Sequence, residues 1–227
     1  MFVRVETRRR RHPPWATLSI VIACLGLFLV EASGDRILRN GLLSDLGTVP
    51  VRLVTAWNSS DLSWLHELPR LFTGLFLHAD WPHLIGNLVF VLIFGFASER
   101  LLGSLRFLTL FLICGALANL AGAAIYAQMN VPIIGSSGAV SAIVGAYITL
   151  FPRARLGLVI PLGFVFEFVR MPASAFIGLW ILIQFLFVVV GPETSALAWP
   201  VHVAGFIFGM IFAFLSRPAI ARRLRGS

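Results

Sequence analysis

Residues 133–151 read IIGSSGAVSAIVGAYITLF, an apolar run that opens on two adjacent serines between glycines. Only about 14 residues separate Ser137 from Phe151, and two arginines follow shortly after. A helix of that length rises about 20 Å, against about 30 Å for the hydrocarbon core of a bilayer. The sequence therefore predicts a short membrane helix that begins below the membrane surface. Residues 131–136 must then descend as irregular backbone, which a bilayer tolerates only where protein buries it or where it lines a water-filled pocket.

The rest of the chain has the composition of an integral membrane protein. Of its 227 residues, 58% are apolar and 12% are charged, and the mean hydropathy is +0.90. A span needs about 20 residues, and apolar runs of comparable length fall at 16–30, 82–98, 107–127, 138–151, 174–190 and 202–215. We therefore predict an all-α membrane protein with six transmembrane helices. Its domain covers residues 16–216, between basic tails at 1–15 and 217–227.

The net charge of +8 comes from arginines that bracket the predicted spans. With the N-terminus inside, most of these arginines fall on the cytoplasmic side, as the positive-inside rule requires. Both termini are therefore expected in the cytoplasm. The basic excess is explained by topology and by contact with anionic membrane lipid, and it does not indicate a nucleic-acid partner.

Three connectors between the spans carry mixed signals. Residues 31–70 combine charges with tryptophans and are predicted to form a loop lying partly in the outer interface, where Trp is favoured. Residues 151–172 are apolar but interrupted by three prolines, and we interpret them as a surface-lying connector rather than a seventh span. Residues 191–200 are predicted to form a short outer loop.

Strongly polar side chains are costly inside a membrane, so each one in or next to a span is a functional candidate. They are His78, His83 and Asn87 at span two, Ser136 and Ser137 at span four, and His202 at span six. These three spans run in the same direction, and the polar residues lie at their N-terminal ends. The ends should therefore gather at one membrane face, the outer one.

Helical spacing indicates which of these residues can meet. Ser137, Ser141 and Gly145 recur at steps of four and form a groove of small residues on span four. Gly205 and Gly209 continue the face of span six below its histidine, and small residues at this spacing let transmembrane backbones approach closely. Packing span four on span six would bring the Ser137 hydroxyl towards the His202 imidazole. That pairing of a nucleophile with a general base activates a serine at neutral pH.

His83 and Asn87 are four residues apart, so their N–H donors share one face of span two. Together with the backbone N–H of Ser137 at a helix N-terminus, they are suited to hold an oxyanion. No carboxylate has the spacing of a third triad member, so we predict a Ser137/His202 dyad. Ser136 lies about 100° of helix rotation from the Ser137 face. We expect Ser136 to be replaceable by alanine with activity largely kept.

A metal site is an alternative role for the same polar residues. The side chains that could supply ligands are those of His78, Asp80, His83 and His202. However, no H-E-x-x-H motif occurs, and His78 and His83, five residues apart, do not share a helical face. We therefore predict neither a metal nor another cofactor, and we assign His78 a structural role.

The same residues resemble the motifs of the rhomboid intramembrane serine proteases. GSSG at 135–138 fits the family's G-x-S-G, which makes Ser137 the nucleophile between Gly135 and Gly138. RLFTGLFLHADWPHLIGN at 70–87 is similar to the start of the family's second helix with its H-x-x-x-N. HVAGFIFG at 202–209 fits H-x-x-G-x-x-x-G with His202 as the base. GFASERLLG at 95–103 fits G-x-x-x-E-x-x-x-G, in which Glu99 is a structural carboxylate.

Two positions depart from the family pattern. Pro69 precedes Arg70 where relatives usually carry Trp-Arg, and Ser141 stands where many relatives carry a Tyr stacked on the base. The seating of the first outer loop and the support of His202 are therefore expected to differ, the latter through a hydrogen bond.

The resemblance implies an endopeptidase that cleaves transmembrane segments of other proteins near the outer face of a bacterial-type inner membrane, without a cofactor. Substrate is expected to approach laterally past Trp180 and Phe185, under the 191–200 loop. Two other classes stay open. One is a catalytically inactive rhomboid-like protein that binds membrane clients. The other is a small-solute transporter, which would need more polar residues at mid-membrane. The oligomeric state is left open.

Overall fold

The computed structural model describes residues 13–59, 62–162, 165–190 and 193–225. Most of the predicted N-terminal basic tail, residues 1–12, therefore lies outside the described residues. In chain order the elements are α1 (Trp15–Ser33), α2 (Arg36–Leu46), α3 (Pro50–Asn58), α4 (Trp64–Thr73), α5 (Trp81–Leu102), α6 (Ser104–Ile125), α7 (Ser137–Leu150), β1 (Arg155–Leu162), β2 (Val165–Pro172), α8 (Ala173–Val190) and α9 (Glu193–Arg225).

The apolar helices confirm that this is an integral membrane protein. Within the described residues, α1, α5, α6 and the segment Trp199–Arg223 of α9 are long and apolar enough to cross a membrane. The predicted fourth span corresponds to α7, a shorter apolar helix of 14 residues. The predicted fifth span corresponds to α8, of 18 residues. The count of six crossings stays a prediction.

Contacts at both ends fix α1 against α5. At one end the buried Glu99 carboxylate accepts hydrogen bonds from the backbone N–H groups of Ala16 (3.0 Å) and Thr17 (2.8 Å) and from the Thr17 hydroxyl (2.6 Å). The first N–H groups of a helix have no partner within it, so Glu99 caps α1 from the neighbouring helix. At the other end the Phe28 and Trp81 rings pack edge to face with centroids 4.8 Å apart.

The predicted loop at 31–70 contains two short helices and the start of a third, α4. Asp35 begins the first of them by accepting a hydrogen bond from the Leu38 N–H at 2.8 Å. The Arg70 side chain ties α4 to the end of α2 by donating from Nε to the Asp45 carbonyl at 2.8 Å, and it also pairs with Glu67. Arg70 thus holds α4 against α2, although the residue before it is Pro69 rather than the Trp that relatives usually carry.

Helix α7 is largely enclosed and packs directly on α9. Residues 138–147 of α7 are all buried. The two backbones touch, because a Cβ added at any of three glycines would collide with a carbonyl oxygen of the other helix: Gly205 with Gly138, Gly209 with Ala142, and Gly145 with Phe206. The predicted packing of span four on span six is therefore present.

The face of α7 that makes this contact differs from the predicted one. The contact uses Gly138, Ala142 and Gly145, rather than a groove of Ser137, Ser141 and Gly145. The reason is helical geometry. Two steps of four residues drift by about 80°, whereas seven residues return to within about 20° of the same face. Gly145 therefore belongs with Gly138 and not with Ser137.

One segment corrects the predicted all-α arrangement. Residues 155–172, expected to be a surface connector, form an antiparallel hairpin in which Arg155 pairs with Pro172 and Leu162 with Val165. This stretch is rich in Val, Ile and Phe, which favour strands.

Helix α9 begins at Glu193 and runs to Arg225. The expected outer loop is therefore helical from Glu193 onwards, and the expected C-terminal tail is helical to Arg225. Both segments are rich in the helix formers Ala and Leu, with arginines in the second.

Replacing Glu99 with Gln should lower the free energy of unfolding by about 2–4 kcal/mol, because an amide cannot accept three hydrogen bonds from buried donors as a carboxylate does. Thermal unfolding of the purified protein in detergent measures the effect. Thr17→Val removes one of the three donors and should cost about 1 kcal/mol. An unchanged melting temperature for Glu99→Gln would contradict the capping role.

Replacing Gly209 with Ala should destabilise the protein by about 1–3 kcal/mol, since the added methyl group pushes α9 away from α7. Gly26→Ala is the matched control, because a Cβ at Gly26 meets nothing within 4 Å. The same unfolding assay should find the control neutral. Equal melting temperatures for the two variants would mean that the close backbone contact is dispensable.

Candidate active site

The backbone that leads into α7 is irregular and is hydrogen-bonded by neighbouring segments. Ile133 and Thr48 exchange two backbone hydrogen bonds, at 2.8 and 3.1 Å, and the Gly135 N–H donates to the Gly74 carbonyl at 2.9 Å. Residues 131–136 are therefore irregular backbone as expected, and Gly135 and Ser136 at their end are buried. The water-filled pocket stays a prediction.

Gly135 brings span two to the start of α7. Its φ of +102° lies in the region that favours glycine. A Cβ there would lie 2.5 Å from His83 Nε2 and 3.7 Å from Asn87 Nδ2. The Asp80 carboxylate accepts a hydrogen bond from the His83 N–H at 2.8 Å. Asp80 thus caps the N-terminus of α5 in the turn that carries His83. The two predicted oxyanion residues therefore both lie against the loop that precedes Ser137.

The Asn87 amide is a buried donor directed at this loop. The residue is 7% exposed, and its Nδ2 has no hydrogen-bond partner among the described residues. Leaving a buried donor unsatisfied costs about 1–3 kcal/mol, so an acceptor at this position would stabilise the site. The donor is available to an oxygen atom of a ligand.

Helix α9 holds His202 beside the first turn of α7. Val201 packs its side chain against both Gly138 and Gly122, and Gly205 sits on the Gly138 carbonyl. His202 follows Val201, is buried, and interacts electrostatically with His83. The turn that carries His202 is thus packed against the turn that carries the half-buried Ser137. A hydrogen bond between Ser137 and His202 stays a prediction.

Ser141 makes its hydrogen bond within its own helix. Its hydroxyl donates to the Ser137 carbonyl at 2.8 Å. This bond runs back by one turn of α7 and braces the residue expected to be the nucleophile. The side chain at the position of the family's tyrosine therefore supports Ser137, and the expectation that a hydrogen bond holds His202 stays a prediction.

Ser136 and His78 form a contact that sequence reasoning missed. Both are fully buried, and Ser136 Oγ lies 3.4 Å from His78 Nε2. His78 Nδ1 lies 3.1 Å from the Phe76 carbonyl oxygen, and the His78 ring packs edge-on to His83 with centroids 5.1 Å apart. Burial, and secondarily the neighbouring His83, lowers the pKa of His78 to about 4, so the ring is neutral at pH 7. No sequence periodicity signals this contact, because His78 precedes its helix.

Glu31 is a second residue whose position the sequence did not indicate. The sequence places it in the predicted outer loop, but in the structure it lies in the last turn of α1 and is fully buried. Its carboxylate lies beside the His78 backbone and faces Arg39, whose guanidinium donates to the Ala79 carbonyl. The Arg39 hydrogen bond ties α2 to the segment between α4 and α5.

Two other sequence-based expectations concern access and metals. The Phe185 ring of α8 contacts the Trp199 ring of α9 with centroids 6.1 Å apart, while the Trp180 side chain lies outside the described residues. Among the described residues, no three His, Cys, Asp or Glu side chains converge as a metal site requires. The absence of a metal or cofactor stays a prediction.

The comparisons with known proteins all indicate the same family. The Rhomboid domain matches residues 65–219. YdcA, a candidate rhomboid protease of Bacillus subtilis, is 34% identical over 90 residues, which are 39% of this chain and 45% of YdcA. Human rhomboid-related protein 3 is 27% identical over 146 residues, 60% of this chain and 32% of that protein.

A longer alignment is found with the rhomboid protease GlpG of Yersinia pestis, 24% identical over 225 residues, 99% of this chain and 70% of GlpG. The chain thus aligns with less than half of the length of the first two relatives and with 70% of the length of GlpG. The matched domain covers more than half of the chain and includes Ser137, His202, His83 and Asn87. The protein therefore belongs to the rhomboid family.

Proposed function

We propose that the protein is an intramembrane serine endopeptidase that cleaves transmembrane segments of other membrane proteins near the outer membrane face. The observation that carries the proposal is the buried Asn87 donor, which lies beside His83 and against Gly135 at the start of α7. An oxyanion of a tetrahedral intermediate would satisfy that donor. The family generally consists of proteases of this type, which supports the same conclusion.

Ser137 is the proposed nucleophile and His202 the general base. The Ser137 oxygen attacks the carbonyl carbon of the scissile bond while the His202 imidazole takes the hydroxyl proton. His202 then returns that proton to the leaving amine, and an acyl-enzyme forms on Ser137. Water, activated by the same histidine, hydrolyses the ester and releases the second product. No cofactor enters these steps.

His83, Asn87 and the N-terminal N–H groups of α7 stabilise the negative charge that develops on the carbonyl oxygen. The hydrogen bond from Val140 N–H to the Ser136 carbonyl, at 2.7 Å, is the first of the helix. The N–H groups of residues 137–139 precede it and therefore point out of the helix end. A helix N-terminus also favours negative charge through its dipole.

The substrate is a transmembrane helix that unwinds near its end, because a helix hydrogen-bonds its own carbonyls and shields them from attack. We propose lateral access beside α8, where the contact between Phe185 and Trp199 closes the route. Separating these two rings would open a path between α8 and α9. The bundle would lie in a bacterial-type inner membrane with both termini in the cytoplasm and its arginines near anionic lipid.

Ser137→Ala and His202→Ala should each reduce cleavage of a reporter transmembrane substrate in proteoliposomes by at least about 10³-fold, since one removes the attacking oxygen and the other the base. Covalent labelling by a fluorophosphonate or isocoumarin probe should be lost in both. Ser98→Ala, at the other end of α5, is the control and should retain full rates. Undiminished cleavage by Ser137→Ala would contradict the proposal. A folded wild-type protein that binds membrane proteins but neither cleaves nor labels would instead identify a client-binding relative.

Asn87→Ala should lower kcat by about 10²–10³-fold with little change in KM, because the donor acts on charge present only in the transition state. Gly86→Ala is the matched control, since a Cβ at the neighbouring Gly86 meets nothing within 4 Å. Steady-state kinetics in detergent separate kcat from KM. A wild-type kcat in Asn87→Ala would remove this residue from the oxyanion site.

A further inference from the structure

Ser136 occupies the N-cap position of α7 but does not cap the helix. Serine at this position normally accepts a hydrogen bond from an N–H in the first turn. Here the Ser136 side chain makes no such bond, and its φ of −74° and ψ of 2° differ from the extended conformation usual for a cap. The first-turn N–H groups of α7 therefore donate no hydrogen bond to the Ser136 side chain.

The Ser136 hydroxyl is instead directed to His78. A carbonyl can only accept, so His78 Nδ1 carries the proton that is shared with the Phe76 carbonyl at 3.1 Å. In the neutral ring Nε2 is then an acceptor, and the Ser136 hydroxyl donates to it across 3.4 Å. The buried Cys24 of α1 lies beside the same hydroxyl. Contacts with His78 and with Cys24, which lie in different segments, thus fix the orientation of the Ser136 side chain.

We propose that Ser136 and His78 form a positioning pair that orients the start of α7 for catalysis. The pair acts on both parts of the oxyanion site. Through Ser136 it holds the residue before the nucleophile and keeps the first-turn N–H groups uncapped. Through the edge-on contact between the His78 and His83 rings, the pair also supports the His83 side chain. This inference rests on the proposed protease function, and it reverses the sequence-based expectation that Ser136 is dispensable.

Three variants test the pair by chemistry rather than by size. Ser136→Ala removes the donor. His78→Asn keeps a donor near Nδ1 for the Phe76 carbonyl but is too short to reach Ser136. His78→Gln is long enough to present an acceptor near the position of Nε2. Ser98→Ala, a fully buried serine distant from the site, is the matched control.

Ser136→Ala and His78→Asn are each expected to lower kcat about tenfold at unchanged KM, because misplacing transition-state donors leaves ground-state binding intact. Combining them should cost no more than either alone, as expected for two members of one interaction. His78→Gln should recover most of the rate, and Ser98→Ala should match the wild type. The fluorophosphonate probe should still label Ser136→Ala, but more slowly.

Rates are compared per active site, titrated with the probe, so that unfolded protein does not count. A wild-type kcat in Ser136→Ala, independent losses that multiply in the double variant, or a His78→Gln variant as slow as His78→Asn would each overturn the pair. If Ser136→Ala fails to fold, the comparison of His78→Gln with His78→Asn still decides.

A function-independent measurement separates this inference from the proposed function. Nitrogen-15 NMR of labelled histidines should detect a neutral His78 whose Nε2 accepts a hydrogen bond, and that resonance should shift in Ser136→Ala. An unchanged resonance would overturn the pair even in an active enzyme. A shifted resonance in a wild-type protein that neither cleaves nor labels would support the contact while contradicting the protease function.

Discussion

The direct backbone contact between α7 and α9 is the constraint on which the site depends. Gly205 and Gly209 let α9 approach the carbonyls of Gly138 and Ala142. In a bilayer such contacts are favoured by dispersion and close packing, because lipid offers little hydrophobic gain for helix association. The same contact sets the height of His202 relative to the first turn of α7. A single side chain at the interface would therefore disturb both the bundle and the site.

The second requirement is that the irregular backbone before α7 finds hydrogen bonds within the protein. Thr48 and Gly74 supply them, and both belong to the region between α1 and α5, although only Thr48 falls in the predicted outer loop at 31–70. The short helices there thus form the wall against which residues 133–135 are held. Because this wall fixes Gly135, it also fixes the distance from that glycine to His83 and Asn87. The hydrogen bonds to Ile133 and Gly135 therefore give the region between α1 and α5 a structural role.

Sequence reasoning succeeded where one helix or one motif carries the signal, and it failed where two segments must be compared. Hydropathy located the apolar helices to within a few residues, except that α9 extends well beyond its apolar run at both ends. The spacing of His83 and Asn87 put them on one face, and the glycines of span six indicated a close helix contact. The packing face of α7 was wrong by one position, because steps of four and steps of seven diverge over two turns. The hairpin at 155–172 was missed because its apolar run fits several structures equally well.

The sequence by itself determined the family, the membrane-spanning character and the residues suited to the chemistry. These follow from local composition and from motifs that lie within single helices. Only the tertiary structure decided how the two adjacent serines differ. Ser137 begins the helix beside the turn of His202, whereas Ser136 turns inward to His78, a residue 58 positions earlier in the chain. No spacing rule relates such residues, since the contact exists only after α1, α5 and α7 have packed together.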